Sequence, residues 1–213
     1  MTIEQFELPQ AYILLSSRTG HPYIDLDGAS HVFIRSADAD TFAKDIPDVI
    51  VEGPKFYSLK GLFSQCYAAG ADTVVIYSED KEEKLPITEF LVEKEYYNHK
   101  GSRAIADILQ YRKVSSLYEL ADSNFIVPVR IERSDNKVEI LYAVAKKEDK
   151  FVYIAFTDLN EYICWRSRIQ DEWEPVEVPY HTLRRISKHH GVLFNVCGNQ
   201  FLLKREMMEK IQN

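Results

Sequence analysis

Cysteine is scarce in this chain: three residues in 213, at positions 66, 164 and 197. An odd number at wide spacing excludes a disulfide-stapled scaffold and suits a reducing compartment. Glycine and proline are also few, eight of each, and no low-complexity run occurs. Extensive disorder is therefore not expected. No apolar run approaches the ~20 residues that a membrane-crossing helix needs. Residues Met1 to Glu7 carry neither a basic segment nor an apolar one, so no secretory leader is read there. Basic residues are outnumbered, 26 against 33 acidic ones, for a net charge of −7. Such a field does not attract the phosphates of nucleic acid or of anionic lipid. The expectation is a cytoplasmic protein with neither a nucleic-acid nor a membrane partner.

The motifs that announce catalysis are missing too. The chain contains no G-x-x-x-x-G-K, G-x-G-x-x-G, H-E-x-x-H, G-x-S-x-G or C-x-x-C. Asp25-Leu26-Asp27-Gly28 starts like a calcium loop, but the later ligands and closing Glu do not follow. It reads as a hairpin turn. The pairs Asp38/Asp40 and Asp171/Glu172 read as capping and solubilising residues. No cofactor and no metal site are expected.

What is present suits a globular core: 46% hydrophobic and 12% aromatic residues. Strands are expected at 11–15, 22–26, 31–35 and 49–52, with 73–77 apolar and β-branched. Ser36 is placed to cap a helix over 37–45. Leu59, Leu62, Phe63 and Cys66 make the apolar face of a second helix over 58–69, stopped by Gly70. Ser78 to Lys84 reads as a charged turn. A long helix is expected over 102–121. Strands follow at 125–132, with Pro128 at an edge or bulge, at 137–145 and at 151–156. Thr157 then caps a helix to Arg166. A strand at 176–178, a helix from Pro179 to His190, strands at 192–196 and 200–203, and a final helix over 206–211 complete the chain.

The two halves share one order of elements. Ser36 corresponds to Thr157, and Thr73–Ile76 to Val192–Phe194. The expected class is α+β: two similar lobes in tandem, 1–98 and 99–213, each a mixed or antiparallel sheet flanked by short helices. The helix over 102–121 has no partner in the first half and is read as an addition to the second.

Particular residues in both halves carry a resemblance. Phe151-Val-Tyr-Ile-Ala-Phe-Thr-Asp-Leu-Asn-Glu-Tyr-Ile-Cys-Trp165, Val176-Glu-Val-Pro-Tyr-His-Thr-Leu183 and Gly191 to Leu203 are similar to the SseB N-terminal-domain family. In the first half Tyr12 to Ser17, Val32-Phe-Ile-Arg-Ser36 and Ala69 to Ile76 are similar to it as well. The turn Asn195-Val-Cys-Gly198 lacks the proline of the family pattern. The resemblance implies a structural frame and brings no catalytic residue with it.

Several residues remain as candidates. His181, His189, His190 and Cys197 suggest a metal or a Cys–His pair. Yet His181 and His189, eight residues apart on one helix, would stand about 12 Å apart along its axis, too far for one ion. Cys66 and Cys164 read as core residues, and Cys197 as the exposed thiol. Trp165 reads as core. Trp173, Tyr180, His181, Arg184 and Arg185 form an aromatic and basic stretch of the kind found at binding surfaces. The expected function is a non-catalytic interaction module that contacts a protein or a second copy. The alternative is a small-molecule binder, or an enzyme without a known signature, with a pocket between the halves.

Overall fold

β-branched and aromatic runs separated by short polar turns favour short strands over long helices. The computed structural model describes residues 7–79, 81–91, 93, 97–134, 137–147, 149–187 and 190–211. Among the described residues it has three sheets and seven α-helices, so the chain is α+β. It divides into two compact units, Met1–Lys94 with Ala106–Arg112, and Glu95–Ile105 with Lys113–Asn213.

In the first unit β1 (Glu7–Ser16), β2 (Ala29–Phe33), β3 (Val49–Ser58), β4 (Thr73–Ser78) and β5 (Lys81–Pro86) form one sheet. Its order is β3-β1-β2-β4-β5, with β2 and β4 parallel and the other neighbours antiparallel. Helices α1 (Ser36–Ala43) and α2 (Leu59–Ala69) follow β2 and β3. Leu59, Leu62, Phe63 and Cys66 of α2 are buried, as their spacing indicates. Ser58 caps that helix by accepting the Gly61 N–H at 3.1 Å. Gly70 ends it with φ of 92°, a conformation that costs an L residue about 1 kcal/mol.

Three expectations are corrected here. Residues 22–26 form no strand: one bridge joins Pro22 to Leu15, and Asp25 turns the chain by accepting the Asp27 and Ala29 N–H groups. Ser36 does not cap α1. Arg35 stands at that position, and its guanidinium pairs with Asp38. The charged stretch over 78–84 is not only a turn, because β5 begins at Lys81. That strand is nearly all exposed, so it needs no apolar alternation and only the β4 backbone as partner.

Gly53 sits where β1 slips register against β3. Its φ is 143°, and a Cβ there would lie 2.7 Å from the Ala11 carbonyl oxygen. Gly53→Ala is expected to cost about 2–4 kcal/mol. Gly70→Ala, which places alanine at φ of 92°, is expected to cost about 1 kcal/mol. Urea denaturation of the two variants checks the difference.

The expected helix over 102–121 is two helices, α3 (His99–Tyr111) and α4 (Ser116–Ala121). Arg112 has φ of 54°, which no helix interior accommodates. Val114, expected on an apolar stripe, is 68% exposed. In the second unit β6 (Asn124–Ser134) lies between β10 (Glu174–Pro179) and β7 (Lys137–Tyr142). A further sheet runs β12-β11-β9-β8: Phe201–Leu203, Val192–Phe194, Lys150–Ala155 and Val144–Lys147. A bridge from Ile126 to Phe156 joins the two. Helices α5 (Leu159–Arg166), α6 (Tyr180–Ile186) and α7 (Arg205–Lys210) complete the unit.

Pro128 is at neither an edge nor a bulge. It lies in β6 opposite Pro175, so two residues without N–H groups face each other and no donor is stranded. The strand expected over 137–145 breaks at Ala143. The Ala143 N–H donates to the Pro128 carbonyl at 3.1 Å, and its carbonyl accepts the Ile154 N–H at 3.0 Å. Helix α5 is capped by Asp158, whose carboxylate accepts the Asn160 and Glu161 N–H groups. The Thr157 side chain is engaged with Asn195 instead. Helix α6 stops at Ile186, short of His190. The candidate His189 lies outside the described residues.

Candidate functional site

The five aromatic and basic candidates divide between the two ends of β10. Trp173 precedes the strand. It is half-buried beside the cluster of Ile126, Ala143, Ile154, Phe156 and Tyr162, as Trp165 is. The Arg130 guanidinium lies 5.3 Å from the Trp173 ring centroid, and the Tyr162 hydroxyl donates to the Trp173 carbonyl. Tyr180 follows the strand. Six extended residues at about 3.3 Å each hold the two aromatics roughly 20 Å apart. Closeness in sequence is therefore undone by the strand between them.

Tyr180, His181 and Arg184 do come together. With Asp122, Ser123, Asn124 and Ile211 they line a depression of about 450 Å³ in the second unit. Tyr180 is buried, and that burial raises its phenol above the usual range, with the Arg184 charge opposing. Arg185 is exposed and does not line this depression. An adjoining one of about 480 Å³ shares Asp122, Ser123 and Asn124 and adds Lys100, Thr157 and Asp158. One guanidinium and one imidazole on an open wall could attract an anion. The wall offers no nucleophile paired with a base.

The histidine and cysteine candidates also separate. His190 is exposed, with Nδ1 3.1 Å from the Phe151 carbonyl oxygen and its ring edge-on to Tyr153. His181 stands at the depression. Among the described residues no group of three or more His, Cys, Asp or Glu is placed to hold a metal. Cys66 is fully buried, and that burial pushes its thiol up to about 12. Cys164, expected in the core, is only partly buried and lies against Cys197.

Two arrangements have no signal in the sequence. In the first unit His31 is buried between Asp25 and Tyr77, with Nε2 2.9 Å from Asp25 Oδ2 and Nδ1 3.1 Å from the Tyr77 hydroxyl. Burial acts to raise the Asp25 carboxyl, but His31 and the Ala29 N–H outweigh it and leave it lowered. This chain of contacts ties the turn at Asp25 to β2 and β4. In the second unit Glu161 is 3% exposed. Burial, with the Asp158 charge adding to it and Arg168 opposing, raises its carboxyl to about 8.

A third feature does have a signal, in the alternation of apolar and charged residues along two neighbouring strands. On the β6–β7 ribbon Ile131 faces Ile140 and Arg133 faces Val138. Ile131, Val138 and Ile140 are 46%, 65% and 54% exposed. Apolar residues that alternate with charges there, over 131–134 and 137–140, show that both faces of the ribbon's outer part are outside the core.

Comparison with protein-family models, with curated proteins and with solved structures finds no match. Among the described residues, no helix is long and apolar enough to cross a membrane.

Proposed function

We propose that the chain is a non-catalytic interaction module whose contact surface is the β6–β7 ribbon, and that the ribbon pairs with a second copy of itself. The observation that carries this reading is the exposed apolar face of Ile131, Val138 and Ile140. Opposite residues in an antiparallel pair share a face, so Val129, Ile131, Arg133, Val138, Ile140 and Tyr142 form one side. The other side carries the Arg130–Glu132 and Lys137–Glu139 ion pairs. Among the described residues β7 ends its sheet, and a free strand edge is a template for another strand.

The residues of β7 choose a register. With Ile140 opposite Ile140 of the second copy, Val138 meets Tyr142 and Glu139 meets Leu141. Apolar pairs of this kind contribute about 0.2–1 kcal/mol each. With Glu139 at the centre, two like charges would be opposed. Sedimentation velocity over rising concentration is expected to show a shift towards a dimer. Ile140→Lys, which sets two ammonium groups against each other, is expected to weaken that association about tenfold or more. Because Ile140 is half-exposed, the far-UV circular dichroism should be unchanged. An Ile140→Lys protein that dimerises like the parent contradicts the reading.

The two tandem lobes are part of the same reading, and we infer that they arose by duplication. With the Ile126–Phe156 bridge counted, the second unit runs β10-β6-β9-β11-β12. That order supports a match to β3-β1-β2-β4-β5, since the parallel pair falls at the same place in each. On this reading β7 and β8 are what the second copy has gained, and the proposed contact lies on the gained part.

A further inference from the structure

Cys164 lies in the last turn of α5, and Cys197 in the turn after β11, where the Gly198 N–H donates to the Asn195 carbonyl at 2.9 Å. Their neighbours fix these two segments side by side. Trp165 and Val196 pack against the same core cluster. The Asn195 side chain accepts the Thr157 N–H at 3.0 Å and donates to the Thr157 hydroxyl at 3.1 Å. Cys164 and Cys197 are near enough for each thiol to feel the other, and both residues are partly exposed. The Arg168 guanidinium donates to Cys164 Sγ at 3.4 Å. Thus two thiols are neighbours, a guanidinium bonds to one of them, and solvent reaches both.

The geometry points to a redox-active dithiol: hydrogen peroxide oxidises Cys164, and Cys197 then closes it into an intramolecular disulfide. In the first step the Cys164 sulfur, as thiolate, attacks one peroxide oxygen. The O–O bond breaks, the sulfur becomes a sulfenic acid, and the departing hydroxide takes up a proton to leave as water. In the second step Cys197 sulfur attacks the sulfenic sulfur. The S–O bond breaks, and the hydroxyl leaves as water with the Cys197 proton. Overall, two thiols and one peroxide give one disulfide and two waters.

The order of events follows from the surroundings. A cation beside a partly exposed sulfur is the environment of a reactive cysteine. The Arg168 charge acts on both exposed thiols, and its guanidinium bonds to Cys164. Burial, with Cys164 adding to it, pushes the Cys197 thiol up to about 12, which makes it a poor first nucleophile. Contact compensates for this in the second step, where the reaction is intramolecular. Cys66 takes no part because it is fully buried.

The test is to treat the reduced full-length protein with near-stoichiometric hydrogen peroxide and to map its peptides by mass spectrometry without reductant. The expected product has lost two hydrogens and joins the Cys164 and Cys197 peptides. Cys66 stays alkylatable, and a thiol reductant reverses the change. In Cys197→Ser a dimedone-type probe is expected to trap a sulfenic acid at Cys164. In Cys164→Ser, Cys197 stays unmodified at the same dose. Two free thiols in the oxidised parent, or Cys164 carried on to sulfinic acid beside a free Cys197, overturns the proposal. The parent protein gives the deciding result, so the folding of either variant does not affect it.

Discussion

Glu161→Gln is expected to stabilise the protein at about pH 8 and to leave it nearly unchanged at about pH 4. The glutamate is 3% exposed in the first turn of α5. Burial is the main cause that raises its carboxyl from 4.5 to about 8, Asp158 adds to it, and Arg168 opposes it. Below its unfolded value both states hold the proton, so the group contributes nothing to the pH dependence. Between 4.5 and about 8 the unfolded chain releases the proton while the folded chain keeps it. Stability therefore falls as pH rises through that window, and the loss is complete above it. A tenfold difference in proton affinity between the two states corresponds to about 1.4 kcal/mol, so a loss on the order of 4–5 kcal/mol is expected. Glutamine keeps the shape and the hydrogen-bonding capacity and removes the titration. Urea denaturation of both proteins at three pH values checks this. Parallel pH profiles for the parent and the variant count against a buried neutral carboxyl.

The second large effect is expected at Asn195, which joins the start of α5 to the end of β11. Its side chain holds both the Thr157 N–H and the Thr157 hydroxyl, and that hydroxyl also receives the Ser102 hydroxyl at 3.1 Å. Asn195 is 3% exposed, so water does not replace these bonds. Asn195→Ala leaves buried polar groups of Thr157 without their partner, at about 1–3 kcal/mol for each. It also places alanine at φ of 50°, a conformation asparagine tolerates better, for about 1 kcal/mol more. A loss of about 3–5 kcal/mol is expected in total. Asn195→Gly removes the side chain but relieves the backbone, so its loss is expected to be smaller by about 1 kcal/mol. Chemical denaturation of the three proteins separates the two contributions. An Asn195→Gly protein as stable as the parent means that the side-chain bonds contribute nothing.

These two residues show where the sequence is legible and where it is not. Helix α2 can be read in full, because Ser58, the spacing of its apolar residues and Gly70 are all local signals. Local signals place the cap of α5 one residue early. Thr157 and Asp158 are both good caps, and only the distant Asn195 decides that Thr157 is engaged elsewhere. Strand β5 is hidden because an exposed strand needs no apolar alternation. The break between α3 and α4 rests on one left-handed residue, Arg112, which no neighbouring residue type foretells. At the candidate site, adjacency in sequence misleads: Trp173 and Tyr180 are near in the chain, but β10 separates them. The thiol pair cannot be read at all, since Cys164 and Cys197 meet only once α5 packs beside the turn after β11.

Amide hydrogen exchange along β7, followed over a range of protein concentrations, asks whether its free edge pairs. If Ile140 lies opposite Ile140 of a second copy, the β7 amides become more protected as concentration rises. The amides of β5, a solvent-exposed edge strand in the first unit, do not change. Exchange in β7 that is independent of concentration contradicts the pairing.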